Sequence, residues 1–298
     1  MKYLVIVNSR AQGGAEKQAF LRSEQYGQDS LGILCLSETR KHRVKLKEYS
    51  CVAYLFKSWI YTLRFVGRYK IRVCWSIRSS VLRKREILVL LFKYLFLPRF
   101  TVESNNRRLS INYPVLCDLL NVKYVPNIYS YVKLDTRKIL YDFEIMIYSR
   151  FVRVKNIEIG IKYAIMCLDN NGISHEELLV AGYGVLEPVI EDLQAHYGFT
   201  YLNTKNVEFN LYRGIAKFLF SFSLYEGSSN VIHESLCLGI LPIVSNVGDN
   251  HLMVEGECIT DGELLLSQWE EIGNNRVLYL KNSINKFNYN YGYWRNRS

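Results

Sequence analysis

Short apolar runs of strand length recur along this chain, separated by stretches long enough for helices, and no other feature restricts its fold as much. In the first half they fall at Tyr3–Val7, Leu31–Leu36, Cys51–Leu55, Ile71–Trp75, Phe100–Val102 and Val122–Val125. Runs that are apolar on both alternating faces suit strands buried on both sides, the pattern of a parallel sheet covered by helices. Pro126–Asn127 interrupts the pattern, a polar stretch follows, and a second series begins with Phe143–Tyr148, Leu178–Ala181, Lys217–Ser221 and Leu241–Val244. Helical segments are expected between these at 153–168, 184–196, 207–213 and 229–238, the last with Ser228 and Ser229 as N-caps. The reading is α/β throughout, in two domains of 1–135 and 136–298, each long enough to bury its own core. Two such halves are expected to face one another across a cleft at the carboxyl ends of their strands, where doubly wound sheets bind ligands.

Charge separates the halves. Residues 1–148 carry 26 Lys/Arg against 11 Asp/Glu, a balance of +15, and residues 149–298 carry 12 against 17, a balance of −5, which together give the net +10. Within 51–100 eleven basic residues face a single acid, Glu86, among Trp59, Tyr61, Phe65, Tyr69 and Trp75. Such a composition attracts polyanions, either an anionic membrane leaflet or nucleic acid, unless it is only a solvated face. No recognisable nucleic-acid-binding motif accompanies it, so nucleic acid is not the expected partner. The seven cysteines are scattered, without CxxC or zinc-ligand spacing, and read as buried thiols in a reducing compartment. The N-terminal apolar run is too short for a signal-peptide core, and Ile87–Leu97 is about half a membrane span and contains Lys93. A cytoplasmic protein is expected, peripheral at the inner membrane face.

The densest chemical signal is Leu224-Tyr-Glu-Gly-Ser-Ser-Asn-Val-Ile-His-Glu234, followed by a stretch holding Gly239, Pro242 and Gly248. It follows the run ending at Ser221, which puts Glu226 near a strand's carboxyl end and Glu234 on the next helix. Gly227 and the amides of Ser228, Ser229 and Asn230 lead into a helix N-terminus, a ready site for a diphosphate. A carboxylate there suits the vicinal hydroxyls of a ribose or hexose. Two surface glutamates beside a helix start are the bland alternative.

The segment resembles the donor-site signature of the family 4 retaining glycosyltransferases of GT-B fold, in which two glutamates separated by seven residues follow a Pro/Ser-x-Tyr. The resemblance implies two Rossmann-like domains, with Glu226 contacting the donor sugar near its reacting carbon and Glu234 holding the ribose. Ser149-Arg-Phe-Val-Arg-Val-Lys-Asn156 is similar to the family's Gly-Arg…Lys segment, which assigns Arg150 and Lys155 to the diphosphate, with Ser149 in place of the usual Gly. Gly182 in Leu178-Leu-Val-Ala-Gly-Tyr-Gly184 matches the family's Gly-x-Gly strand end, and Gly13 and Gly14 match its glycine-rich loop on the donor phosphate. Arg78 stands where many relatives carry a His, on the acceptor side, and suits an anionic acceptor or a domain-stabilising salt bridge.

The implied reaction moves a sugar from a nucleotide-diphosphate donor, UDP- or GDP-linked, to a hydroxyl of a saccharide or lipid-linked acceptor, in cell-surface polysaccharide or glycolipid assembly. No Asp-x-Asp and no His cluster offers a metal site, so neither a metal nor another cofactor is expected. A sugar-nucleotide epimerase or phosphorylase of the same fold remains open. So does a binding protein disabled by the region after Ile259, which looks abbreviated.

Overall fold

The computed structural model describes residues 3–7, 18, 21, 30–35, 73–77, 100–105, 108–125, 127–133, 140–205, 211–260 and 262–291. The chain divides into two compact units, Met1–Ile128 and Tyr129–Ser298, ahead of the 135/136 boundary expected from sequence. In the first unit β1 (Tyr3–Val7) pairs in parallel with β2 (Ser30–Cys35). A second parallel group joins β3 (Val73–Ile77), β4 (Phe100–Ser104) and β5 (Lys123–Tyr124), with two short helices, α1 (Arg108–Asn112) and α2 (Pro114–Leu119), between its last two strands. Gln18 satisfies both backbone groups of Ile128: its amide nitrogen donates to the carbonyl at 3.0 Å and its oxygen accepts from the N–H at 2.6 Å. The expected strand at Cys51–Leu55 lies outside the described residues.

The second unit holds a five-stranded parallel sheet in the order β10-β9-β6-β7-β8, formed by β6 (Phe143–Arg150), β7 (Leu178–Tyr183), β8 (Thr200–Asn203), β9 (Ala216–Ser221) and β10 (Leu241–Val244). The centre of the sheet is buried on both faces. Ile145 and Ile147 of β6, Val180 of β7 and Phe218 and Phe220 of β9 enter the larger core, while Met146, Leu179, Ala181 and Leu219 enter a smaller one on the opposite side. This is why these strands read as uninterrupted apolar runs rather than alternating ones.

Helix α3 (Ile157–Asn170) follows β6, α4 (Glu187–Tyr197) follows β7 and α5 (Asn230–Cys237) follows β9, giving the strand–helix alternation expected from the sequence. The segment 207–213 is different: residues 211–213 are not helical, and 206–210 lie outside the described residues. Beyond β10 come the short α6 (Asn250–Met253), then α7 (Glu263–Asn274) and α8 (Arg276–Tyr291). These last two bury Leu265, Trp269, Ile272, Leu280, Ile284 and Phe287 in the larger core, so the region after Ile259 supplies one wall of the fold. No helix among the described residues is long and apolar enough to cross a membrane.

Candidate functional site

Strands β9 and β6 are neighbours, so the loops leaving their carboxyl ends lie side by side. After Arg150 the chain buries Phe151, makes a 3-10 turn at Arg153–Lys155 and enters α3 through Asn156, held in the left-handed region at φ 50°. Asparagine is one of the few residues with a side chain that visits that conformation, because its short polar side chain can hydrogen-bond locally. After Ser221 the chain buries Phe222 and Ser223, then exposes Leu224 and Tyr225 before Glu226. A backbone bond from the Leu224 N–H to the Val154 carbonyl at 2.8 Å staples the two loops together. The staple brings the Lys155 ammonium onto Oε1 of Glu226 in an ion pair, with the side chains 20% and 15% exposed. Ser223 donates from Oγ to the same oxygen at 2.9 Å. A recess beside the pair is lined by Tyr148 and Ser149 of β6, Asn156, and Ser221 and Ser223.

The Glu226 loop is clamped from its other side. Gly227 is buried, and its carbonyl accepts the Asp249 N–H at 2.9 Å. Gly248 has φ +55°, and a Cβ there would sit 2.6 Å from the Glu226 carbonyl oxygen and closer still to that of Gly227. Only glycine fits. Ser228 exchanges a hydroxyl bond with Tyr129 at 3.0 Å, Ser229 is buried at the N-cap of α5, and Asn230 opens that helix. The residues expected to bind a diphosphate therefore do form a helix N-terminus, of eight residues' length.

Glu234 lies within α5, half-buried, and its carboxylate acts on Tyr148 of β6. Burial first, and then Glu234, hold the Tyr148 phenol above the ordinary tyrosine range. Arg150 stands exposed at the end of β6 and forms no ion pair among the described residues. Gly182 pairs with Ser149 across β6 and β7, where a Cβ would come 2.6 Å from the Phe151 ring and closer still to the Ser149 carbonyl, so packing alone demands glycine. Gly13, Gly14 and Arg78 lie outside the described residues.

His233, one residue from Glu234, is taken up in packing. Its ring stacks on Phe287 at 5.2 Å and tilts against Tyr129 at 4.8 Å, and its Nε2 is 3.1 Å from the Ser130 carbonyl. Tyr291 joins the same aromatic cluster and donates from its hydroxyl to the buried Asp249 at 3.3 Å. Reading the sequence missed Ser223, Ser245, Asp249, Tyr129 and Tyr291 as supports of this loop. Ser223 stands at the Ser of the Ser-x-Tyr ahead of Glu226 without its role being marked, and the other four meet this loop through partners distant in the sequence that no local pattern signals.

No protein-family model matches the chain, and no curated protein matches it by sequence. Solved structures do match by shape. Anabaena HepE, crystallised with UDP and glucose, aligns over 98% of this chain and 95% of its own at a TM-score of 0.68 and 12% identity. The α,α-trehalose-phosphate synthase (UDP-forming) of Burkholderia vietnamiensis aligns over 99% and 96% at 0.66 and 10% identity. The fold is GT-B. A third GT-B match, a variant of S. aureus TarM crystallised with fondaparinux, alpha-GlcNAc-glycerol and UDP, has a TM-score of 0.53 at 12% identity. The chain spans about half the length of that protein, covering 47% of it with 76% of its own residues. Within the GT-B frame the Lys155–Glu226 pair sits at the carboxyl ends of the second unit's central strands, where an open α/β sheet presents its ligand-binding groups.

Proposed function

We propose that this chain is a glycosyltransferase that moves a sugar from a UDP- or GDP-sugar to a hydroxyl of a saccharide or lipid-linked acceptor. The observation that carries the reading is the convergence of Lys155, Glu226 and the N-terminus of α5 at the carboxyl ends of β6 and β9. A diphosphate at that helix end gains the positive pole of the backbone dipoles and the charge of Lys155, with Arg150 as the second cation. Glu234 takes the ribose hydroxyls and Glu226 the donor sugar.

In the transfer step the acceptor oxygen bonds to the anomeric carbon as the bond from that carbon to the phosphate oxygen breaks. The acceptor's proton passes to the departing diphosphate, so no separate protein base is required. Cations fixed on the leaving group lower the barrier because they bind it more strongly as its charge develops. The proposal includes retention of anomeric configuration, independence from metal ions, and a place in cell-surface polysaccharide or glycolipid assembly at an anionic membrane surface.

A thermal-shift panel of UDP-, GDP- and ADP-sugars, followed by nucleotide release with and without acceptors, tests it. A ligand at 100 times its dissociation constant adds about 2.7 kcal/mol of stability. Stabilisation by one nucleotide-sugar class together with acceptor-dependent release supports the transferase. A changed sugar without nucleotide release points to an epimerase, and binding without turnover on any acceptor points to a binding protein.

A further inference from the structure

We infer that Ser223, supported by Ser245 and Asn250, is a positioning residue that fixes the carboxylate of Glu226 against Lys155. The inference rests on the transferase reading for its catalytic consequence, but its geometry stands independently. Both the ammonium of Lys155 and the hydroxyl of Ser223 meet Glu226 at one oxygen, Oε1. With only the ammonium, the carboxylate can swing on its flexible stem and stay paired. A second donor, placed three residues earlier in the same loop, fixes its direction.

Ser223 can do this because it is itself immobile. It is 2% exposed, and its carbonyl accepts the Ser245 hydroxyl at 2.6 Å. Ser245 lies just beyond β10, its N–H donates to the Ser221 carbonyl at 3.1 Å, and its own carbonyl accepts the amide of the fully buried Asn250 at 3.0 Å. A partly buried polar chain thus runs from α6 through the end of β10 to the Glu226 carboxylate. Directional catalytic groups need such support, since their rotamers must be held by neighbours rather than by the group itself. The staple from Leu224 to Val154 keeps the loop carrying Lys155 in register with it.

Two readouts test the assignment, one of them independent of any enzyme activity. The first is acetylation of Lys155 by an amine-reactive ester, followed residue by residue by mass spectrometry. Pairing with a fixed carboxylate protects the amine, so Glu226→Gln should raise the Lys155 rate by about tenfold and Ser223→Ala should raise it part-way. Ser223→Thr, which keeps the hydroxyl, should react like the parent. The second is donor-dependent rate. Ser223→Ala should lower kcat by about tenfold while UDP affinity stays within about twofold, and Ser223→Thr should recover most of the rate. Lys155 acetylation unmoved by Ser223→Ala overturns the positioning role, whatever the protein catalyses. Equal loss in the Ala and Thr variants, with a matching fall in thermal midpoint, also overturns it in favour of packing. If the acetylation pattern holds and no donor is bound or turned over, Ser223 still positions Glu226 and it is the transferase reading that fails.

Discussion

Replacing Gly248 with alanine should damage the site more than it damages the fold, and a second glycine in the same unit provides the control. At Gly248 two costs combine. The residue has φ +55°, where a side chain costs about 1–2 kcal/mol. The new Cβ would also lie 2.6 Å from the Glu226 carbonyl oxygen and 2.9 Å from its carbonyl carbon, against an ordinary contact of about 3.5 Å. Those atoms are backbone, so the loop must move by about 1 Å, and forced overpacking of this kind costs about 1–3 kcal/mol. The sum is about 2–5 kcal/mol. Gly198 closes helix α4 at φ +78° with nothing within 4 Å of its Cβ position, so Gly198→Ala carries only the first cost.

Calorimetry should therefore show Gly198→Ala melting about 2–8 °C below the parent and Gly248→Ala about 4–20 °C below, at about 2–4 °C per kcal/mol for a unit of this size. Activity should separate them further. Gly198→Ala should turn over donor as the parent does, because α4's far end touches none of the proposed site. Gly248→Ala should lose about a hundredfold, since a misplacement of about 1 Å in a reacting group has that effect. If Gly248→Ala melts with Gly198→Ala and retains parental turnover, the Glu226–Gly227 loop is not clamped as described, and the reasoning from its geometry is refuted.

Glu234→Ala should weaken nucleotide binding by about 1.5–3 kcal/mol, the worth of a charged acceptor to a buried hydroxyl pair, measured by titration calorimetry. Parental affinity would remove the ribose assignment. Arg150→Ala and Lys155→Ala should each slow turnover, with EDTA leaving the parent unaffected; rates indifferent to both substitutions, or sensitive to chelation, would contradict the cationic, metal-independent site. Charge reversal at Arg83, Lys84 and Arg85 should release the protein from anionic vesicles in co-sedimentation, as should added salt; a parent that stays in the supernatant at low salt refutes the membrane surface. His175 should make stability depend on pH. Its Nε2 meets Asp169 at 2.7 Å and its Nδ1 meets the Tyr197 carbonyl at 2.9 Å, so only the imidazolium donates to both, and Asp169 and then that carbonyl raise its pKa above the ordinary 6.5. A group raised on folding stabilises fully below its unfolded pKa and loses that contribution as pH climbs through the folded one. Melting temperature should thus fall from pH 6 upward more in the parent than in His175→Gln, and parallel curves would exclude the pair.

What was legible in the sequence was what repeats locally. β6, β7, β9 and β10 are apolar on both faces because the sheet is covered on both, and each was visible as a run. β8 was not, because Thr200–Asn203 is an edge strand whose four residues are all only partly buried, leaving neither a continuous run nor an alternation to detect. Most of helix α8 was not legible either, for a different reason. Asn282, Asn285, Asn288 and Asn290 make Arg276–Tyr291 look like a poor helix former, since asparagine competes for the backbone. Yet Leu280, Ile284, Phe287 and Tyr291 recur at helical spacing and enter the core, and two of the asparagines are consumed elsewhere. Asn288 pairs with both backbone groups of Val132, accepting at 3.0 Å and donating at 2.8 Å, and Asn290 donates to the Leu252 carbonyl at 3.0 Å. Tertiary bonds of this kind override propensity while leaving no local trace. The candidate site divides in the same way. Glu226, Glu234, Arg150 and Lys155 were expected because they occur in short segments with characteristic neighbours, whereas Asp249 and Tyr291 act through partners that only folding brings near. The groups proposed to carry the chemistry are thus written in contiguous segments, whereas the supports of their loop come also from α6, α8 and the end of β10. A variant that spares Glu226, Glu234, Arg150 and Lys155 and alters only Gly248 or Ser223 is therefore the sharper trial of whether this site works as a unit.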